Sequence, residues 1–377
     1  MDTGPSRNNQ AVAPTVPFIR ASAEHREPAG IDVIRQMTTS DQDLGVFDIP
    51  AYGYVRSIVL LVTTTGGTGG SAAAAEDGPW NVLKNIALTE PNGAVISQFN
   101  SGHSLYLANK WGGYKFAPGA DPHRSPVFSG VNATTGQFSF LVRIPVELNL
   151  RDGLGSLPNQ NAAATFKLRM TLAADDQVYS TSPVSTLPSV RVRAFIEAWD
   201  QPETGSGGGA NQITPPAMNT TQFWSEQIYN VGAGSQTIRL TRVGNYVRNL
   251  ILVYRRAGTS RANGHTDMAD PTTIHLDTRP LDIIERNNWL NQMFERSGHG
   301  GALGSEVPSN DEPGGLDNGV FVYDFMHEFD GSLGQENRDL WLPTLGSTRL
   351  ELQGSFTNAG TLSVLTNDVA VAGSVFI

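Results

Sequence analysis

The string YVRSIVLLV at 54–62 returns as YVRNLILVY at 246–254. Tyr, Val and Arg recur in order, and a mostly apolar run follows each time. An internal repeat of this range means one structural unit written twice, and no other feature limits the fold as strongly. Other matches keep the same order. Upstream, RQMTTSDQDLGVFDIPAYG and EQIYNVGAGSQTIRLTRVGN each give two apolar runs around a polar turn, then a Gly shortly before Tyr-Val-Arg. Downstream, the strand at Ile86 pairs with that at Ile274, FSFLVRIPVEL (138–148) with VFVYDFMHEF (320–329), and Leu157-Pro158 with Leu342-Pro343. A chain of 377 residues is long enough for two domains. The two halves are therefore expected to superpose, with Tyr54 on Tyr246 and Pro158 near Pro343, each half keeping its own sheets.

The repeated unit reads as strands. In the first copy they fall near 32–38, 44–49, 54–63, 82–89, 94–98, 137–147, 164–173 and 188–199. Phe138, Phe140, Val142, Ile144 and Val146 share one face of a strand; Phe166, Leu168, Met170 and Leu172 share another, with Lys167, Arg169 and Thr171 opposite. An apolar face with period two marks a half-buried antiparallel strand. Two facing sheets bury many such strands at once. The fold expected is all-β: two tandem eight-stranded antiparallel sandwiches. Each unit carries one short helix, in the second signalled by the pairs Trp289/Met293 and Leu290/Phe294 and closed at Gly298. Residues 1–30 read as an N-terminal arm, 31–200 as the first unit, 201–221 (QPETGSGGGANQITPP and the residues after it) as a linker, and 222–377 as the second. Three Gly-rich stretches, 63–80, 256–271 and 296–319, read as long loops.

Composition removes several function classes. The net charge of −10 argues against a direct nucleic-acid surface, which needs Lys and Arg to displace counterions. With no Cys there is no disulfide frame, no thiolate metal site and no Cys nucleophile. No apolar run is long enough to span a bilayer as a helix, and the N-terminus lacks the pattern of a signal peptide. GGTGG at 66–70 lacks the Gly-Lys-Ser/Thr of a phosphate loop, and neither HExxH nor G-x-S-x-G occurs. His265, Asp267 and Asp270, or Asp311, Glu312 and Asp317, carry ligand atoms without calcium-loop spacing, and solvated loop residues explain them. Glu147, Asp152 and Asp324 sit at strand ends, where a hydrolytic carboxylate pair would have to be and where ordinary polar residues are common. No cofactor, metal or catalytic residue is expected.

One strand raises a different possibility. In RVRAFIEAWD (191–200), Ala194, Ile196 and Ala198 face one way with Val190 and Val192. That leaves Phe195 and Trp199 beside Arg191, Arg193 and Glu197 on the other face. Large aromatics among arginines on an outer face are interface-like, unless a helix or the sister unit covers them.

The paired YVRSIVLLV and YVRNLILVY strands, with IPVELNLRDGLGSLPNQNAAATFKLRMTL (144–172), resemble the double jelly-roll major capsid proteins of tectivirus-like phages. The resemblance covers roughly 31–377 and is architectural rather than motif-exact. It implies a non-enzymatic structural protein of the virion, assembled in the host cytoplasm. It further implies homotrimers whose six jelly rolls form a pseudo-hexagonal block tiling an icosahedral shell. The partners implied are neighbouring capsomers, penton and minor capsid proteins, and an internal membrane touched by the N-terminal arm. The alternative is a secreted carbohydrate-active or glycan-binding protein, since paired jelly rolls also serve that purpose.

Overall fold

The computed structural model describes residues 24–112, 129–149, 153–181, 185–200, 220–257, 261, 267–289, 319–326 and 341–370. In the first half the strands are β1 (Glu24–Gln36), β2 (Gln42–Asp48), β3 (Tyr54–Thr65), β4 (Ala73–Ala74), β5 (Leu83–Thr89), β6 (Val95–Ser101), β7 (Ser139–Pro145), β8 (Leu157–Pro158), β9 (Lys167–Leu172), β10 (Tyr179–Thr181) and β11 (Ser189–Trp199). Helix α1 (Gly102–Trp111) follows β6. The second half has β12 (Gln222–Val231), β13 (Gly234–Leu240), β14 (Tyr246–Arg256), β15 (Thr272–Leu276), β16 (Arg279–Ile284), β17 (Val320–Asp324), β18 (Leu342–Pro343), β19 (Leu350–Phe356) and β20 (Gly360–Val369).

The strand orders repeat. In the first half one layer runs β1-β11-β3-β7 with β8 at the end of β3, and the other runs β2-β9-β5-β6. In the second half the layers run β12-β20-β14-β17, with β18 at the end of β14, and β13-β19-β15-β16. Between each pair of layers lie the alternating apolar residues. Phe140, Val142 and Ile144 of β7 are buried, as are Leu168, Met170 and Leu172 of β9. Trp80 stacks on Tyr106 of α1 with centroids 4.6 Å apart and meets Phe140 edge-on at 4.8 Å. Fully burying one such side chain is worth roughly 1.5–3 kcal/mol before entropy.

The repeat holds at the level of single residues. Tyr54 pairs with Pro158 and Val55 with Leu157; Tyr246 pairs with Pro343 and Val247 with Leu342. The ladder to the last long strand of each half skips one residue, Arg56 in β3 and Arg248 in β14. The bulge frees their carbonyls, and Glu147 N–H donates to Arg56 O as Phe325 N–H does to Arg248 O. Each guanidinium then lies over an indole, Arg56 at 3.9 Å from Trp199 and Arg248 at 5.3 Å from Trp341.

Three expectations change. The sheets are not separate: Trp224 of β12 pairs in parallel with Ser97 of β6, so one nine-stranded sheet crosses both halves. An edge left open on each half is satisfied by the other at that bridge. The first strand begins at Glu24, inside the supposed arm, because β11 continues to Trp199 and offers partners to Glu24–Pro28. Part of 63–80 is ordered, with Thr65 ending β3 and β4 pairing with β10. Of the second helix, Leu290, Met293, Phe294 and Gly298 lie outside the described residues. So do residues 1–23, 201–219 and most of 296–319.

Candidate assembly surface

The sequence of β14 shows no alternation because both of its faces are covered. Val247, Leu250, Leu252 and Tyr254 face the second half's own core. Ile251 and Val253 face the other way, with Val320 and Val322 of β17, Leu365 of β20 and Trp224 of β12. These six join the first half's core cluster, which includes Phe99 and Leu105, Leu107 and Trp111 of α1. Ser101 caps α1 by accepting from Ser104 N–H at 3.1 Å. At its other end Gly112 leaves room for the Trp224 ring, which a Cβ there would meet at 2.5 Å. Asn249 donates to the carbonyl of Trp111 at 3.1 Å.

Charged groups pin the same junction. Glu226 of β12 accepts from Asn100 N–H, Ser104 Oγ and Ser363 Oγ at 2.7, 2.9 and 2.6 Å. Burial raises its pKa, and the hydrogen bonds only partly oppose that. Asp77 of the first half accepts from Arg255 Nη2 at 2.5 Å and Arg261 Nε at 2.6 Å in the second, with His103 Nε2 3.7 Å away. Burial pushes Asp77 up, but His103 and the two arginines outweigh it and hold the carboxyl well below the usual range.

Among the described residues, none of the second half covers the matching face of the first. Counting from Tyr54 and Tyr246, Ser57 corresponds to Asn249, Val59 to Ile251 and Leu61 to Val253. Across the ladders, Phe195 corresponds to Leu365, Leu141 to Val320 and Arg143 to Val322. Four of the five apolar positions remain apolar. Leu61, Leu141 and Phe195 are half-buried, while Val59 is shielded by its neighbours. Charge surrounds this strip. Glu197 Oε2 accepts from Ser57 Oγ at 2.6 Å and Arg143 Nε at 2.9 Å, Oε1 accepts from Arg143 Nη2 at 3.0 Å, and Arg26 also donates to Oε1. Burial alone would raise the Glu197 pKa; Arg143, Ser57 and Arg26 outweigh it and bring it down to about 2.

The four residues singled out in RVRAFIEAWD separate in space. Phe195 lies on the open face as expected. Arg191 is half-buried and grips Asp32 with two bonds of 2.7 and 2.5 Å. Arg193 is half-buried opposite Leu61, and its Nε has no hydrogen-bond partner. Trp199 is not available at the surface: it is fully buried under Arg56 and donates from Nε1 to Glu147 Oε1 at 2.9 Å. The alternation itself holds, since Glu24–Pro28 run against Trp199–Phe195 without a shift and Ala194, Ile196 and Ala198 join the core; Arg56, set out of the ladder by the bulge in β3, lies over the Trp199 ring. Glu147 also accepts from Arg56 Nε at 2.8 Å, and Asp324 accepts from Met326 N–H at 2.7 Å, so two of the three carboxylates considered for hydrolysis hold local structure. Asp267 accepts from Asn358 Nδ2 at 2.9 Å and Asp270 from Arg286 N–H at 3.1 Å. Asp152, His265, Asp311, Glu312 and Asp317 lie outside the described residues, and among the described ones no three acidic or His side chains gather as a metal site. Val59, Leu61 and Leu141 were missed by sequence reasoning, although the alignment of the two YVR strings would have pointed to the first two.

No family model and no curated protein matches this chain. Solved structures do. The major capsid protein of STIV, the Sulfolobus turreted icosahedral virus, matches with a TM-score of 0.61 at 13% identity, over 92% of this chain and 96% of that one. VP54 of PBCV-1 matches with a TM-score of 0.62 at 12% identity, over 92% and 93%. The major capsid protein P2 of bacteriophage PM2 matches with a TM-score of 0.50 at 13% identity, over 93% and 99%. The fold is the double jelly roll. The 1-8-3-6 and 2-7-4-5 strand order of each half, counted over its long strands, is that of one roll. Each roll of this double jelly roll presents the same kind of outer sheet face, one sealed within the chain and one left half-buried among the described residues.

Proposed function

We propose that this chain is the major capsid protein of a virus, a structural subunit that works by packing and not by catalysis. The carrying observation is the double jelly roll itself, matched over more than nine-tenths of its length by capsid subunits of otherwise dissimilar sequence. In this reading the rolls are 31–200, extended back to Glu24 by β1, and 222–377, joined by 201–221. Three copies supply six similar blocks, which close a pseudo-hexagonal homotrimer able to tile an icosahedral shell with neighbouring capsomers, penton and minor capsid proteins. The net charge of −10 favours a shell that does not hold the genome directly. Contact of the N-terminal segment with an internal membrane, and assembly in the host cytoplasm, belong to the same proposal.

Sedimentation of the purified protein, followed by negative-stain imaging, tests it. The expected species has three times the 40.5 kDa chain mass and a near-hexagonal outline. A monomer at micromolar concentration that binds glycans and forms no shells or sheets would replace this reading with the carbohydrate-binding one.

A further inference from the structure

The contact between the two rolls has a direction: β6 and α1 of the first cover the outer β12-β20-β14-β17 face of the second. Because the rolls repeat residue for residue, the second roll owns a copy of the covering edge and the first owns a copy of the covered face. We infer that β16 of one copy of this chain docks beside β1 on the outer β1-β11-β3-β7 face of the next copy, repeating the contact made within the chain. This rests on the trimeric reading above and assigns the surfaces that close it.

The register identifies the meeting point. Trp224 stands opposite Asn367, which stands opposite Asn249; Arg26 stands opposite Glu197, which stands opposite Ser57. Arg26 therefore occupies the place of Trp224. On the covering side, Leu88 is flanked by Ser97 and Leu168, and Leu168 by Phe47. Ile274 is flanked by Asp282 and Leu352, and Leu352 by Ile238. Asp282 therefore occupies the place of Ser97. The Trp224–Ser97 bridge within the chain becomes an Arg26–Asp282 bridge between chains, joining opposite charges.

The surroundings agree. Both strands lie at sheet edges with no further strand beyond them among the described residues. Ile283, beside Asp282, is 61% exposed, and Ile34 of β1 is 56% exposed, so apolar side chains stand free on both edges. Half-buried Phe195, Leu61 and Leu141 stand where Leu365, Val253 and Val320 are sealed inside the chain. A head-to-tail contact of this kind is heterologous, and it closes as a ring when the rotation between rolls divides the circle.

The Cys-free sequence permits a clean test. In a parallel pair with Arg26 opposite Asp282, Glu27 lies opposite Ile283, within reach of a disulfide. The full-length double variant Glu27→Cys/Ile283→Cys is oxidised and run without reductant. Bands at two and three times the chain mass are expected. The pair Gln98→Cys/Ser225→Cys, its counterpart within the chain, should lose both thiols while staying at single-chain mass. Ile34→Cys/Ile283→Cys, with the first site five ladder positions further along β1, or about 17 Å at 3.3 Å per residue, should give no multimer. Phe195→Asp should shift sedimentation from trimer to monomer with its circular dichroism unchanged. A wild-type trimer in which the Glu27/Ile283 pair stays monomeric, while the internal pair oxidises, overturns this assignment and leaves the trimer standing. Equal cross-linking from Ile34, or a Phe195→Asp trimer, also overturns it. A monomeric wild type removes both the assignment and the reading beneath it.

Discussion

Glu197 holds the open face of the first roll together, and acid should release it. Its folded pKa of about 2 lies below an ordinary value of 4.5. At 1.36 kcal/mol per unit, that difference is worth about 3 kcal/mol of stability. Because the folded value is the lower one, the contribution is complete above the unfolded pKa and is lost as pH falls from about 5 toward 2. By pH 3 the unfolded chain is almost fully protonated at this site and the folded chain hardly at all, so about 2 kcal/mol is already gone. Glu197→Gln removes the titration and leaves Arg143 and Arg26 facing a neutral amide, lowering stability at pH 7 by about 3 kcal/mol. Urea unfolding at pH 7 and pH 3, at fixed chain concentration, compares the two proteins. The wild type should lose about 2 kcal/mol more than the variant across that interval. Parallel losses would refute the assignment of this carboxylate as the charged centre of the face.

Phe140→Asp should prevent folding, since an unpaired charge against Trp80 and Phe138 costs several kcal/mol out of a domain's roughly 5–15; Ser139→Asp, one residue away on the opposite face, should stay within about 1 kcal/mol in the same thermal melt. Gly53→Ala should destabilise strongly, because a Cβ there would meet the Trp199 carbonyl at 2.1 Å at a φ of +44°, whereas Gly244→Ala, with open space around it, should be milder in the same assay. Asp77→Asn takes the side-chain carboxylate from buried Arg261 and leaves Arg255 with Glu76 alone, and it should cost about 3–5 kcal/mol, measured by denaturant unfolding.

Much of the fold was legible from local pattern. The faces of β7 and β9 follow from alternation alone, and the match of Tyr54 to Tyr246 follows from the repeated string. The start of β1 was not legible, because Glu24–Pro28 carry no strand signal of their own and are ordered by the length of β11. Trp199 keeps the side that alternation gives it, but it is buried because a bulge in β3 sets Arg56 over its ring, and a bulge has no marker in composition.

The candidate assembly surface was legible only in part. Phe195 stood out as an aromatic among arginines, and it does face outward. Val59 and Leu61 did not, since in sequence they look like the core residues around them. The string YVRNLILVY is apolar on both faces from Leu250 onward because α1 and β6 cover the second one, and YVRSIVLLV keeps the same apolar positions without such a cover among the described residues.

The sequence by itself determined that one sandwich is built twice, because side-chain alternation and the repeated strings are local properties carried by each strand. Only the tertiary structure decided how the two rolls meet, through the β6–β12 bridge, the Trp224 contact and the Asp77 clamp. Those contacts join residues more than a hundred positions apart, and their energy depends on burial and charge that exist only once both rolls are folded side by side.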